Sequence, residues 1–139
     1  MNDPLRCFLI DDDIDDQKIF SIITEEIDAD IVCLFAGDGT EGLAKLNTIE
    51  QLPDIIFLDV NMPKMDGVEC LQRLKQAERL KDIPVFMYST TADPETVSAT
   101  KKMGIEDYIV KPNNINDLVN ILSDIYSKYK KRKKSASSG

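Results

Sequence analysis

The chain has 139 residues, 42% of them hydrophobic and 30% charged, with a formal charge of −8. That length and balance suit one globular domain with a real core and exclude a disordered chain, and no apolar stretch approaches the ~20 residues of a membrane-spanning helix. Histidine is absent and no Cys-x-x-Cys occurs, which removes zinc sites and Ser-His or Cys-His catalysis. Along the chain, short apolar runs alternate with helical patterns. Residues 6–11 read as a first strand, 14–27 as a helix, 31–36 as a second strand and 38–49 as a helix. Residues 55–59 form a third strand, short, continuous and β-prone, as expected of a strand buried on both faces. A helix over 66–80 starts at the turn Asp66-Gly67. The fourth strand covers 85–89, after Pro84 at a position a strand tolerates. A thin amphipath over 94–103 has few apolar residues and so low local stability. A short fifth strand spans 107–110. The last helix runs from about 115 to 129, where Ile115, Leu118, Val119, Leu122, Ile125, Tyr126 and Tyr129 keep the i, i+3, i+4, i+7 rhythm.

Five strands alternating with five helices predict an α/β domain with a parallel sheet covered on both faces. Only residues 130–139 read as a tail, basic and Ser-rich. Six of the 17 basic residues fall between Lys128 and Lys134, leaving 11 against 25 acidic ones in the body, a net of −14. A body so acidic is not expected to bind nucleic acid. The basic run reads as a solvated helix end rather than a lipid or nucleic-acid contact. Cys7, Cys33 and Cys70 lie in apolar segments and read as reduced core cysteines of a cytoplasmic protein. The start, Met1-Asn2-Asp3-Pro4, lacks the basic and apolar regions of a signal peptide.

The carboxyl ends of parallel strands share one edge, where open α/β sheets bind ligands. The first strand ends in Asp11-Asp12-Asp13, the third in Asp59, the fourth in Ser89-Thr90-Thr91 and the fifth in Val110-Lys111-Pro112. Crowded carboxylates take up protons or bind a cation. An all-oxygen set with open positions suits Mg2+ and a phosphate, and a lysine on the same edge suits the same anion. Metal, lysine and a free carboxylate together provide for phosphoryl transfer to Asp59. The competing reading is a solvated acidic edge with Lys111 as its ion-pair partner.

At these residues the sequence resembles the receiver domain of two-component response regulators. Phe8-Leu9-Ile10-Asp11-Asp12-Asp13 is similar to the family's first-strand acidic motif. Asp59-Val60-Asn61-Met62-Pro63-Lys64-Met65-Asp66-Gly67 is similar to its phosphoacceptor loop, and Tyr108-Ile109-Val110-Lys111-Pro112 to its fifth-strand motif. The resemblance covers residues 6 to about 129. It implies a flavodoxin-like doubly wound sheet of order 2-1-3-4-5. It implies that Asp59 accepts a phosphoryl group from a histidine kinase or histidine phosphotransfer protein. It further implies Mg2+ on Asp11, Asp12, Asp59 and the backbone carbonyl of Asn61, and Lys111 and Ser89 on the phosphate. Ser89 and Tyr108 would form the switch, Asn61 and Thr91 would tune phosphoryl lifetime, and the Lys111-Pro112 bond would be cis. Thr90 is bulkier than the family's usual Ala or Gly and would, on the resemblance, narrow access to Asp59. The implied molecule is a single-domain regulator, monomeric or weakly dimeric through its last two helices, acting on an unidentified protein target and not on a membrane. A receiver piece of a longer regulator or hybrid kinase is the alternative.

Three other motifs compete. Gly37-Asp38-Gly39-Thr40-Glu41-Gly42 is a literal G-x-G-x-x-G between a strand and a helix, but Asp38 and Glu41 would face a pyrophosphate where positive potential is needed. It reads as a turn and cap, with Gly42 in the receiver family's usual Ala position. Asp11, Asp13 and Asp15 suggest a calcium loop, but Asp16 stands at the sharp-turn Gly position and Ile22 at that of the bidentate Glu. Asp11-x-Asp13 also resembles the nucleophile motif of haloacid-dehalogenase-like phosphatases, although Ile14-Asp15 replaces the usual Gly-Thr. That phosphatase and a binding-only adaptor with a degenerate receiver site remain as alternative functions.

Overall fold

A computed structural model describes residues 3–138; Met1, Asn2 and Gly139, which hold the expected chain start and the last residue of the expected tail, lie outside the described residues. The five apolar runs become strands β1 (Arg6–Ile10), β2 (Val32–Ala36), β3 (Ile55–Leu58), β4 (Val85–Ser89) and β5 (Asp107–Val110). All pair in parallel, in the order β2-β1-β3-β4-β5 that the resemblance implies. β3 and β4 are buried throughout, whereas the edge strands β2 and β5 are largely half-buried or exposed. This is why the central runs are continuously apolar.

Helices α1 (Ile14–Ile27), α2 (Gly39–Thr48), α3 (Gly67–Gln76), α4 (Pro94–Lys102) and α5 (Ile115–Ser138) follow the strands in turn. Alternate strand residues point to opposite faces. Cys7, Leu9, Ile55 and Phe57 therefore meet Phe20 and Ile23 of α1 and Leu122 and Tyr126 of α5. Phe8, Ile10, Ile56 and Leu58 meet Leu46 of α2 and Leu71 and Leu74 of α3. Phe57 is the aromatic centre of the first face, edge-on to Phe20 at 5.1 Å and stacked on Phe86 at 5.6 Å between centroids.

Each helix opens on an Asx cap. Asp13, Asp38, Asp66 and Asp93 accept amide hydrogens in the first turns of α1 to α4, and Asn114 accepts from the Asp117 amide in α5. Such caps satisfy donors that the helix leaves open. Asp38 thus takes the capping role, and Gly42 lets α2 lie against β1, since a Cβ there would come within 2.7 Å of Ile10 Cδ1.

Two boundaries differ from expectation. α3 ends at Gln76 rather than at residue 80, because Ala77 leaves helical geometry. The following turn buries Leu80 and brings the Arg79 guanidinium onto the carbonyl oxygens of Leu46 and Ile49 at the end of α2. α5 continues through the expected tail to Ser138, since no Gly or Pro interrupts it and lysine supports helix well. Its basic turns fold back on the body. Lys130 pairs with Asp28, and Lys133 donates to the Pro4 carbonyl at 2.8 Å and to Asp54 at 2.9 Å. α4 is thin as expected, with Thr100 its one buried residue. Among the described residues no helix is long and apolar enough to cross a membrane.

Candidate phosphoacceptor site

The strand ladder delivers the polar residues to one edge. Beyond β1 the Asp11 amide still bonds to Ala36 at 3.0 Å, and beyond β3 the Asp59 amide bonds to the Ile10 carbonyl at 3.0 Å. The Lys111 amide likewise bonds to the Ser89 carbonyl at 2.8 Å. These bonds fix the Cα positions of Asp11, Asp59 and Lys111, so their side chains converge above the sheet.

Asp11 is fully buried, Asp59 nearly so at 6% exposure, and Asp12 is exposed. One carboxylate oxygen from each lies within 4.8 Å of the others. The Lys111 ammonium stands 2.8 Å from Asp11, 2.7 Å from Asp16 and 3.6 Å from Asp59. Three carboxylates thus share one ammonium, and with Asp12 beside them and all groups ionised the pocket carries an excess of three negative charges. At an effective dielectric of 20, like charges about 4 Å apart repel by roughly 4 kcal/mol.

The titration of the site follows from this. Burial pushes the Asp59 carboxyl up to about 6; Lys111 pulls against the rise and Asp11 adds to it. Burial also raises Asp11, against its bonds from Lys111 and from the Asp13 amide. For Lys111, burial alone favours the neutral amine, but the bonds and charges of Asp11, Asp16 and Asp59 outweigh it and hold the group above the usual lysine range. The lysine is a fixed cation at any physiological pH.

Ser89 is fully buried at the end of β4. Its hydroxyl lies 3.4 Å from that of Thr91 and accepts the Thr91 amide hydrogen at 3.4 Å. Asn61 donates from its side-chain amide to the Thr91 hydroxyl at 3.1 Å. The half-buried Tyr108 donates its phenol hydrogen to the Thr91 carbonyl at 2.6 Å. Thr90 points into solvent. The Lys111-Pro112 bond is trans, as is every peptide bond among the described residues, and corrects the expectation of a cis bond. A trans X-Pro bond is favoured by about 0.5–1 kcal/mol unless packing opposes it, and here Lys111 reaches both Asp11 and Asp16 from the trans form.

Asp16, and the reason that residue 67 is glycine, escape a reading of the sequence. Asp16 supplies the shortest contact of Lys111; the one available signal is its place in the first turn of α1, above the strand ends. Gly67 touches nothing chemical, yet a Cβ there would sit 2.1 Å from the Asp59 carbonyl oxygen and 2.8 Å from Val60 Cα. Its amide also closes the loop on the Val60 carbonyl at 2.8 Å. Only glycine lets α3 begin against the residue that carries the carboxylate.

A five-stranded sheet of this order with an acidic pocket and a lysine on its carboxyl edge defines a receiver. Residues 7–123 match the family described as response regulator receiver domain, and the chain belongs to that family. Response regulator Rcp1 of Synechocystis is 30% identical over 136 residues, a match spanning 91% of this chain and 89% of that protein. The probable C4-dicarboxylate response regulator DctR of Bacillus subtilis is 32% identical over 127 residues, spanning 91% of this chain but 54% of its own length. The chain therefore spans about half of that longer relative. Among solved structures, phosphorylated cyanobacterial phytochrome response regulator RcpA has a TM-score of 0.84 at 27% identity, covering 91% of this chain and 94% of its own. Mn2+-bound Rcp1 has a TM-score of 0.79 at 29% identity, covering 89% and 93%.

Proposed function

We propose that the protein transmits signals by accepting a phosphoryl group on Asp59 from a histidine kinase or histidine phosphotransfer protein. The observation that supports this most is the nearly buried Asp59 carboxylate, with Asp11 and Asp12 oxygens within 4.8 Å and the Lys111 ammonium 3.6 Å away. An Asp59 oxygen attacks phosphorus, the bond from phosphorus to the donor's ring nitrogen breaks with its electron pair on nitrogen, and that nitrogen takes a proton from water. The products are an acyl phosphate and a neutral imidazole.

The all-oxygen donor set and its excess negative charge fit Mg2+ held by Asp11, Asp12, Asp59 and the Asn61 carbonyl. When bound, Mg2+ neutralises charge on the transferring phosphoryl oxygens. Lys111 supplies the second positive charge and pairs with a phosphoryl oxygen once Asp16 gives it up. Ser89 turns its hydroxyl to the same group. The β4–α4 loop that carries Thr91 follows, which frees Tyr108 to turn inward and biases the thinly anchored α4. Asn61 and Thr91, bonded to each other beside the pocket, tune the lifetime of the acyl phosphate.

Output passes to a protein target or onward to a phosphotransfer protein in the cytoplasm, the regulator acting as a monomer or a weak dimer through α4 and α5. The phosphatase alternative is disfavoured because Asp13 Oδ1 serves as the cap of α1, accepting the amides of Asp15 and Asp16 at 2.9 and 3.2 Å.

The test is incubation with a small phosphodonor and Mg2+, followed by intact mass. One base-labile phosphoryl group is expected, absent without Mg2+ and absent in Asp59→Asn. Normal labelling of that variant would overturn the assignment, steady release of phosphate from unrelated esters would favour a phosphatase, and no labelling of the folded protein would favour an adaptor.

A further inference from the structure

We propose that Cys7 and Cys33 are an oxidation site, a thiol pair that closes into a reversible disulfide and staples the edge strand β2 to β1. The two are register partners in the β1–β2 ladder, and their sulfurs lie 3.2 Å apart. Neighbouring strands run about 4.8 Å apart, inside the roughly 4.4–6.8 Å Cα separation that a disulfide spans. Side chains at paired positions leave the sheet on the same face. The two sulfurs already in contact need to close from 3.2 Å to the roughly 2.05 Å of a disulfide.

The two thiols are not equivalent. Cys33 is half-buried on the edge of the sheet, within reach of a small oxidant, whereas Cys7 has no exposed surface. The contact with Cys7 also favours the thiolate at Cys33, against the opposing effect of burial. Cys33 is thus the attacking sulfur and Cys7 the resolving one. With a hydroperoxide, the Cys33 thiolate takes the terminal oxygen as the O–O bond breaks, giving a sulfenic acid and releasing an alcohol, or water from hydrogen peroxide. Cys7 then attacks the Cys33 sulfur, and the displaced hydroxide leaves as water with the Cys7 proton. Two thiols are oxidised by two electrons and one peroxide is reduced. The Tyr126 hydroxyl, 3.7 Å from Cys7, keeps its 2.7 Å bond to Thr24 when the Cys7 hydrogen is lost. No buried donor is stranded.

Cys70, buried alone in α3 on the other face of the sheet, is an internal control. The test is treatment of the full chain with dilute hydrogen peroxide, then intact mass and tryptic mapping without reductant. The expected result is loss of the mass of two hydrogens, a linked pair of peptides 7–18 and 19–45, an upward shift in Tm, and full reversal by a dithiol reductant. Cys70→Ser should behave as the parent. Cys33→Ser should keep its mass, and Cys7→Ser should instead gain one oxygen at Cys33 that a sulfenic acid trap captures. Mapping of the unaltered chain decides the matter even if a variant fails to fold. Peptide 7–18 linked to the Cys70 peptide, a bond between chains, or stepwise oxygen addition at Cys33 without a link would overturn the proposal.

Discussion

Lys111 lies closer to Asp16, at 2.7 Å, than to Asp59, at 3.6 Å. The lysine that faces Asp59 is thus also held by the first turn of α1. For its ammonium to reach a phosphoryl oxygen on Asp59, the contact to Asp16 must lengthen. Asp16→Asn weakens the hold while keeping the shape. Asp16 is partly exposed, so the pair contributes on the order of 1 kcal/mol, and the initial rate of Asp59 labelling by a small phosphodonor should rise several-fold. Lys111→Met should lower it. A slower Asp16→Asn would mean that Asp16 positions the lysine instead of competing for it.

The second prediction concerns pH. Asp59 is raised from 3.8 to about 6 on folding. Between those values the folded chain binds the proton more tightly than the unfolded chain, so this group's contribution to stability falls as pH rises from about 4 through 6. Above pH 7 the ionised carboxylate costs the metal-free protein on the order of 3 kcal/mol. Asp59→Asn should therefore unfold at a higher temperature than the parent in chelator at pH 8. The difference should shrink toward zero at pH 4. An unchanged difference across that range would show that the carboxylate is not strained by burial.

Gly67→Ala is expected to be costly. Its Cβ would fall 2.1 Å from the Asp59 carbonyl oxygen, and that neighbour is backbone, not a side chain that can swing away. Overpacking of this kind costs roughly 1–3 kcal/mol or more. Denaturant titration should show a lowered midpoint, and phosphoryl labelling should slow because the loop carrying Asp59 shifts. Near-parental values in both would mean that α3 can move off β3 at little cost.

The end of α5 gives a fourth test. Lys130 and Lys133 tie the last turns to Asp28, Asp54 and the Pro4 carbonyl. Amide hydrogen exchange should show protection continuing past Tyr129 to about Lys133, where a solvated tail would exchange at once. Lys133→Ala should erase that protection while lowering global stability by less than about 1 kcal/mol, as exposed ion pairs do.

The elements that were legible in the chain share one property: their pattern and their burial agree. β3 is apolar at every position and β4 up to Ser89 because both faces are covered, and α1 starts and stops where Asp13 and Asp28 cap it. The run from Arg6 to Ile10 also placed Asp11 at a strand end before any geometry was known. What was not legible depended on partners distant in sequence. α3 stops at Gln76 because the next residues have a task on α2, which no periodicity shows. The basic run is largely solvent-facing, as it reads, but its ties to Asp28 and Asp54 were not legible because those acceptors are far away in the chain. Asp16 looked like one acid among many until the fold set it against a lysine 95 residues on. The Lys111-Pro112 isomer, carried over from the family, followed local preference instead.

Thr91 offers its hydroxyl to Asn61, its amide to Ser89 and its carbonyl to Tyr108. The β3–α3 loop and strands β4 and β5 therefore meet at the atoms of a single residue, none of which the chemistry itself consumes. A rotation about its backbone would change all three distances together, coupling the β4–α4 loop to each of these partners. A change at Thr91 should then disturb inward and outward motions alike, and a ligand that clamps this one residue would immobilise the edge of the sheet without touching a carboxylate.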